Sequence, residues 1–543
     1  MKTLCLLFAL FLSGYFLHAQ SIEVKQSDKI KTDGGTVGKA NAGDVIQYKV
    51  KIENTGGANA NGVKLNAVPD AKTTFVNSSF VSTSVAVNDA YTCTGNVGIN
   101  VPAANGVLSN DFDDNLGGAT LTCNTCNPTT NGGTITLHND GSFMYVPAAG
   151  YTGSDQFTYT INDATIPDGA TPIAGDITAT VNITISNMIW FIDNSSVAAL
   201  SDGRRSSPFK TLASFESVNG TGGLNPAAGH TIYIEHTGIN YSGGVSLEDN
   251  QIVIGEGHTG TSTMVPNENL SVALSFALAP FSLALPNIDG TRPVIVNAGG
   301  DGVTLAANNN LRGFDIGNCQ DFGIDDNGNV GTLSINEVSI NNGAGGGIRA
   351  DAGGTLAVTL GSVSSTGGAN GVNLNNVGGN FTVSNATSIT NSTSAAVTIA
   401  NNTSTVSFNT LNITNTTSNQ TGILASGGTI NSSSGTINTG SGRAVDIDNT
   451  TLGMMLTAVS CNGCTTGIDL NTTTGSFAVN GTGMAGTGGT IRNGAIGISL
   501  TSTRNVSLAW MQLNDFSDFA IRGNSVINFT LNNAVVNGVN GNN

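Results

Sequence analysis

Three aspartates late in the chain are spaced so that their carboxylates could share a proton or a cation. Asp446 and Asp448 lie two residues apart, and Asp469 follows at about the interval of an internal repeat. If that interval is one coil of a solenoid, Asp446 and Asp469 face each other, with Asp448 on the same side. Like charges at this spacing are unfavourable unless they share a cation or a proton. These residues are the candidate catalytic group if the chain is an enzyme.

Four aspartates in the first third of the chain are candidate metal ligands. Their carboxylates are hard oxygen donors beside Asn and Gly, and Ca²⁺ needs about 6 to 8 such oxygens around one ion. The alternative is that the Asn-Asp and Asp-Gly pairs simply form turns. The sequence predicts Ca²⁺ as the one cofactor, with these ligands: Asp89, Asp111, Asp113 and Asp155.

The repeat itself predicts the element that positions the late aspartates. A short phrase with a β-branched anchor returns from Val303 to Ile521 in steps of about 24 residues, the length of a coil with three strands and three turns. This repeat length predicts a parallel β-helix whose inward side chains form apolar ladders. The residues one place after each anchor should form a surface column, in which Asp325 and Arg349 make an exposed ion pair: Thr304, Asp325, Arg349, Asn373, Thr398, Leu424, Asp446, Asp469, Ser499 and Arg522.

Composition and the N-terminus define the class of protein. The chain has 72 Gly, 10 % charged residues and a net charge of -17, which predicts an all-β protein that repels nucleic acid. Residues 1–19 have a Lys, a short apolar run and a small residue before the expected cleavage after Ala19, as in a secretory signal peptide. No later stretch reaches the roughly 20 apolar residues of a transmembrane helix.

Cysteine and histidine spacing argues against zinc. Two CxxC pairs lie in different modules with no His beside either, so local disulfides Cys123–Cys126 and Cys461–Cys464 are predicted for an exported chain. Cys319 should be an unpaired buried thiol. Three histidines are scattered rather than spaced as ligands and are predicted to be ordinary surface residues: His230, His236 and His258.

Two small modules should precede the solenoid. Residues 20–85 contain a run from Gly43 to Gly56 that resembles the surface-protein repeat called domain of unknown function eleven, which implies a β-sandwich spacer. Residues 86–187 contain Asn88-Asp89-Ala90-Tyr91, Gly106-Val107-Leu108-Ser109-Asn110-Asp111 and Gly150-Tyr151-Thr152-Gly153. This module resembles the cadherin-like or Ig-like repeats of bacterial adhesins. Its aromatic core would be Phe143, Tyr145, Phe157 and Tyr159.

Residues 188–543 should form the solenoid. Trp190-Phe191-Ile192-Asp193 and Gly229-His230-Thr231-Ile232 resemble the opening segment of pectate-lyase-like proteins. That resemblance implies a right-handed β-helix whose open end is covered by the opening segment. The last residues stand in mid-coil, so the natural protein is expected to continue beyond Asn543.

Two functions from different classes fit these features. Lyases of this shape need a Lys or Arg base beside Ca²⁺-bound uronate, and the hydrolases use clustered Asp with His and Lys. Residues 301–543 contain six Arg but no Lys and no His. The sequence therefore predicts a non-catalytic, exported bacterial protein, secreted or at the cell surface, with a structural or adhesive role towards an extracellular glycan or cell-surface partner. The alternative is a polysaccharide lyase or glycoside hydrolase that uses Asp446, Asp448 and Asp469.

Overall fold

The structure is a computed structural model that describes residues 22–32, 41–54, 85–111, 120–162, 177–259, 268–417 and 419–538. The predicted signal peptide and Asp113 lie outside these ranges. The chain divides into two compact units, Met1–Ser82 and Thr83–Asn543.

In the first unit, two strands pair antiparallel: β1 (Ile22–Thr32) and β2 (Val45–Asn54). Much of residues 20–85 lies outside the described part of the chain. The β-sandwich spacer assigned to this region stays a prediction.

The second unit opens with a small module of two sheets, in which the described strand pairs are antiparallel except for one. Its short 3-10 helix is Ala103–Asn105, and its strands are β3 (Asp89–Gly95), β4 (Ile99–Val101), β5 (Thr120–Cys123), β6 (Thr134–Leu137), β7 (Phe143–Val146), β8 (Gly153–Asn162) and β9 (Thr178–Ile192). Strands β4, β7 and β6 form one sheet. Strand β9 pairs antiparallel with β8 and parallel with β3 in the other. Phe143, Tyr145, Phe157 and Tyr159 are all buried between them, which confirms the predicted aromatic core.

The solenoid follows, with one short helix, α1 (Leu212–Glu216), capped by Thr211, and a 3-10 turn, Leu270–Ala273. No helix in the described ranges is long and apolar enough to cross a membrane. The strands are β10 (Thr231–Ile234), β11 (Tyr241–Ser242), β12 (Val245–Ser246), β13 (Ile252–Gly255), β14 (Glu268–Asn269), β15 (Asn287–Ile288), β16 (Val294–Asn297), β17 (Val303–Leu305), β18 (Asn310–Cys319), β19 (Phe322–Asp326), β20 (Thr332–Asn342), β21 (Gly346–Ala350), β22 (Gly354–Thr366), β23 (Val372–Asn375), β24 (Val377–Thr390), β25 (Val397–Asn415), β26 (Ile423–Thr439), β27 (Val445–Asp448), β28 (Thr451–Leu456), β29 (Ala458–Asn462), β30 (Thr466–Asn471), β31 (Thr474–Val479), β32 (Thr490–Arg492), β33 (Ile496–Thr501), β34 (Arg504–Ala509), β35 (Gln512–Asn514), β36 (Phe519–Asn524), β37 (Ile527–Asn532) and β38 (Val535–Asn537).

These strands build a right-handed β-solenoid of about 24 residues per coil, and the predicted all-β fold class is confirmed. Each coil contributes to three parallel sheets, which we name faces A, B and C. Face A contains β17, β19, β21 and β23, and continues to β36. Face B runs from β10 through β13, β28, β31 and β34 to β37. Face C runs from β16 through β29, β32 and β35 to β38. The long strands β18, β20, β22, β24, β25 and β26 bend across two or three faces.

Apolar ladders hold neighbouring coils together. Val303, Ile324, Ile348, Val372 and Val397 stack on face A and are essentially inaccessible to solvent. Burial of one such side chain contributes about 2 kcal/mol, and it is realised only when the next coil is in place.

The register of the column predicted for face A is confirmed, but two of its members, Asp325 and Ser499, are buried. Thr304 pairs with Asp325, Arg349 with Asn373, and Asn373 with Thr398. Further along, Leu424 pairs with Asp446, Asp446 with Asp469, and Ser499 with Arg522. Because the side-chain period of a strand is two, a one-residue slip would have moved the column inside.

The sandwich and the solenoid share a strand. Residues 181–188 of β9 pair with β3, whereas Ile189 to Ile192 pair with β10 in the solenoid. A second seam forms where Asn100 N donates to Phe281 O at 2.8 Å and Leu283 N donates to Gly98 O at 3.0 Å. These contacts attach the sandwich to the first coils of the solenoid.

Candidate functional site

The predicted acidic group on face A is bridged by an arginine. Arg443 Nη1 lies 2.9 Å from Asp446 Oδ2 and 3.4 Å from Asp469 Oδ2. Burial raises the pKa of Asp446. The negative charge of Asp469 adds to this rise, while Arg443 opposes it. Asp448 is exposed and lies opposite Asn471. The structure thus brings Asp446 and Asp469 together, but as partners of one guanidinium.

A second acidic group on face A surrounds Arg349. Its guanidinium donates to Asp325 through Nε and Nη2, both at 2.5 Å, and lies 4.8 Å above the ring of Phe322. Arg349 Nε is also 3.9 Å from carboxylate oxygens of Asp326 and Asp351. One guanidinium therefore faces three carboxylates.

Asp326 is the most enclosed member of this group. Its side chain is 1 % exposed, and Oδ2 accepts hydrogen bonds from the backbone N of Asp351 and Ala352 at 2.9 Å. Oδ1 has no hydrogen-bond partner among the described residues. Burial also raises the pKa of Asp325 to about 6, although Arg349 favours its ionised form.

The ion pair predicted between Asp325 and Arg349 is confirmed, but its predicted exposure is wrong. Asp325 is only 6 % exposed because Arg349 lies across it. The predicted column contains Asp325 but not its neighbour Asp326. The doublet Asp325-Asp326, with Asp351 one coil later, was the signal that pointed to this group.

Two of the predicted calcium ligands meet in the sandwich. The Tyr159 hydroxyl donates to Asp111 Oδ2 at 2.6 Å and lies 3.4 Å from Asp89 Oδ2 and 2.9 Å from Val107 O. Burial, followed by the charge of Asp111, raises the pKa of Asp89 to about 7. The tyrosine hydroxyl occupies the space between the two carboxylates.

Asp155 lies elsewhere on β8, where it is fully buried. It accepts hydrogen bonds from Thr129 Oγ1, Tyr145 OH and the backbone N of Asn131, so its oxygens serve the sandwich core. No group of three Asp, Glu, His or Cys residues in the described ranges is arranged to hold a metal ion. The structure brings Asp89 and Asp111 together and keeps Asp155 apart.

The cysteines are placed as follows. Cys123 is bonded to Cys126 and Cys461 to Cys464, while Cys93 and Cys319 are buried free thiols. Cys461 aligns with Thr439 and Asn415 of the preceding coils. The Cys461–Cys464 disulfide thus lies at the turn that Thr439 and Asn415 occupy in the two preceding coils.

The surface prediction is wrong for His258, whereas His230 and His236 are half-buried. His230 Nδ1 accepts a hydrogen bond from Trp190 Nε1 at 3.1 Å. His258 is 9 % exposed and its Nδ1 lies 2.5 Å from Glu337 Oε2. Glu337 reaches it across Gly313, where a Cβ would lie 2.3 Å from His258 N. Burial alone raises the pKa of Glu337, but hydrogen bonds from His258 and Thr259 outweigh it and hold this pKa at about 2.

Two recesses interrupt the surface of the second unit. One, of about 570 Å³, lies where the sandwich meets the solenoid and is lined by Met188, His230 and Phe276. The other, of about 310 Å³, is lined by Glu216, Asp301 and Thr304. Thr304 pairs with Asp325, so the second recess lies beside the acidic group around Arg349.

Comparison with known proteins identifies one domain. Residues 82–187 match the family model of the bacterial cadherin-like domain, in agreement with the resemblance noted in the sequence. No curated protein matches the chain. Among solved structures, a Family 28 exopolygalacturonase from Yersinia enterocolitica is similar at 12% identity and a TM-score of 0.19, over 77% of this chain and 88% of that chain. A likeness of this degree says nothing about activity.

Proposed function

We propose that the chain is a non-catalytic, exported bacterial surface protein with a structural or adhesive role, in which the cadherin-like module holds a rigid β-solenoid. The observation that supports this best is the bridge from Arg443 to both Asp446 and Asp469. The guanidinium binds both carboxylates, so neither is free to act as acid or base on a glycosidic bond.

Two measurements test the proposal: one for cleavage of polysaccharides and one for display of the chain on the cell surface. The purified chain is incubated with polygalacturonate and with neutral polysaccharides, and new reducing ends and unsaturated products are measured. We expect neither product, and we expect added protease to cut the chain on intact cells. Product release would overturn the non-catalytic proposal, and protection from protease would overturn the surface location.

A second candidate function, hydrolysis of an extracellular polysaccharide, is supported by the group around Arg349. Asp325 has a pKa near 6, whereas Asp326 has a buried carboxylate oxygen that accepts no hydrogen bond from the described residues. Two carboxyl groups in different environments can divide the roles of acid and base. If products appear, they should vanish in Asp325→Asn and Asp326→Asn and persist in Asp448→Asn, an exposed control. Loss in Asp446→Asn instead would place the chemistry at the sequence-predicted triplet.

We also propose calcium binding at Asp89 and Asp111, with Asp113 as a further ligand. Two carboxylates and the Val107 carbonyl oxygen point at one position, but the Tyr159 hydroxyl lies within it. Ca²⁺ should raise the melting temperature of the native chain, and Asp89→Asn should abolish the rise. An equal rise in Asp155→Asn would be expected, because Asp155 lies outside this group.

A further inference from the structure

Charge is absent from a long part of the solenoid. Residues 352–442 contain no Asp, Glu, Lys, Arg or His, although the whole chain carries 36 acidic and 19 basic residues. These residues span β22 to β26 and the turns between them. Packing of the core does not require an uncharged outer surface, because outward positions of other coils hold Asp325, Arg349 and Asp446.

On face B, outward side chains from β24 to β31 form two columns without charge, which we call the uncharged face. The first three positions of each column lie within residues 352–442. One column is Asn380, Thr405, Thr429, Thr451 and Thr474, and the other is Thr382, Ser407, Asn431, Gly453 and Ser476. All ten positions are exposed or half-buried. They alternate with buried Phe381, Val406, Ile430 and Leu452. Charged residues of face B flank these columns, with Arg312 before them and Arg504 after them.

The spacing of the two columns makes a regular array. Neighbouring coils are about 4.8 Å apart, and residues two apart on one strand are about 6.7 Å apart. Thr451 and Thr474 share a hydrogen bond between hydroxyls at 3.0 Å, and Asn431 Nδ2 donates to Ser407 Oγ at 3.2 Å. A Cβ at Gly453 would lie 2.3 Å from Asn431 Oδ1, so glycine leaves room for that amide. Side chains ordered in this way lose little entropy when a ligand binds.

We propose that the uncharged face binds a neutral polysaccharide whose chains are laid out on a flat surface. Threonine, serine and asparagine groups both donate and accept hydrogen bonds, as sugar hydroxyls do. An extended glycan advances by nearly one coil spacing for each sugar, so a chain along the solenoid axis meets equivalent groups on each coil. A polyanion gains nothing here, because the face lacks cations and the molecule has a net charge of -17. This inference rests on the proposed adhesive role and names its ligand class.

The test measures depletion of the full chain from solution by microcrystalline cellulose and by chitin, with soluble polygalacturonate as competitor. The test variant is Thr405→Val with Thr429→Val and Thr451→Val, which exchanges hydroxyls for methyls and keeps β-branched side chains. The matched control places three such changes on face C, at Thr410, Thr414 and Thr436. Thermal unfolding verifies that both variants are folded.

We expect the native chain and the face C control to bind at least one of the two solids. The face B variant should bind at least fivefold more weakly, and polygalacturonate should not compete. Failure of the native chain to bind either solid, equal loss in both variants, or displacement by polygalacturonate would each overturn the inference. Soluble sugars are measured in the same supernatants. Their release would overturn the non-catalytic proposal, while the binding data would still decide the role of the face.

Discussion

Asparagine has two separate uses in this solenoid. At turns, residues such as Asn308, Asn376 and Asn449 have positive φ values of 61, 56 and 44°, which asparagine tolerates better than most residues. Others point inward: Asn342 and Asn415 are fully buried. Asn342 accepts a hydrogen bond from Cys319 N and donates to Asp321 O and Gly346 O, at 3.0, 3.1 and 2.9 Å. The inward asparagines therefore tie consecutive coils together.

Replacement of an inward asparagine should be costly. Asn342→Ala removes the acceptor of the Cys319 and Ala344 N–H groups and a donor to Gly346 O, and we expect the free energy of unfolding to fall by about 2–3 kcal/mol. Asn438→Ala, at an exposed position of face C, is the control and should change it by less than about 0.5 kcal/mol. Chemical denaturation of both variants measures the difference. Equal effects would show that Asn342 acts only through strand propensity.

Protonation of Asp89 should govern part of the pH dependence of stability. Its pKa is about 7 in the folded protein, against 3.8 for an ordinary aspartate, so the folded state holds the proton more tightly. That contribution is present at low pH and is lost as the pH rises from about 4 through 7. In Asp89→Asn, the melting temperature should fall less steeply over this range than in the native chain. Parallel curves would show that Asp89 is not protonated near neutral pH.

At the scale of the element, one coil is the unit that can be added or removed. Val397 pairs with Ile423, so removal of residues 397–422 joins Ala396 to Ile423 in the same phase. We expect a soluble, folded protein with a native-like β spectrum by circular dichroism, because each ladder meets the next coil in register. Removal of residues 397–409 alone shifts the phase by half a coil. That variant should fail to fold cooperatively, and its folding would contradict the coil as the structural unit.

The repeat made the solenoid predictable, and the isolated features were not. A β-branched anchor every 24 residues or so fixes period, faces and the column from Thr304 to Arg522, because register allows one arrangement. By contrast, Asn342 and Asn376 are the same residue type in different environments. Asn342 is buried inside the solenoid, whereas Asn376 is exposed at a turn. Local composition does not separate an asparagine that turns the chain from one that bonds inside it.

The candidate sites were predictable only as far as the column reaches. The contact between Asp446 and Asp469 follows from the period, but the arginine that neutralises them lies three residues before Asp446, in a turn. The contact of His258 with Glu337 depends on Gly313, a gap that allows a side chain to cross one coil. Contacts that are made from a turn or across a glycine do not recur at the interval of the repeat, so the sequence pattern does not reveal them.

At the scale of the whole second unit, the sandwich is packed against the first coils of the solenoid. Val97 of the sandwich packs in one cluster with Ile189, Phe191, Tyr233 and Leu285. Arg205 N donates to Asn96 O at 2.8 Å, which adds a third seam. The edge of the first coil is covered by the opening segment, where Phe191 N donates to Gly203 O at 3.0 Å and Phe209 N donates to Phe191 O at 2.9 Å, so it is not left as a template for association. A rigid connection of this kind also fixes the direction in which the solenoid faces are displayed.

Interruption of the shared strand should therefore weaken the whole unit. Insertion of two glycines between Asn187 and Met188 separates the pairing of β9 with β3 from its pairing with β10. We expect the melting temperature to fall by about 5 °C or more, with association that grows with protein concentration in light scattering. The same insertion between Gly222 and Gly223, where an added Cβ meets nothing within 4 Å, should change neither quantity. If both insertions behave alike, the sandwich acts as an independent spacer and the cap lies in the opening segment alone.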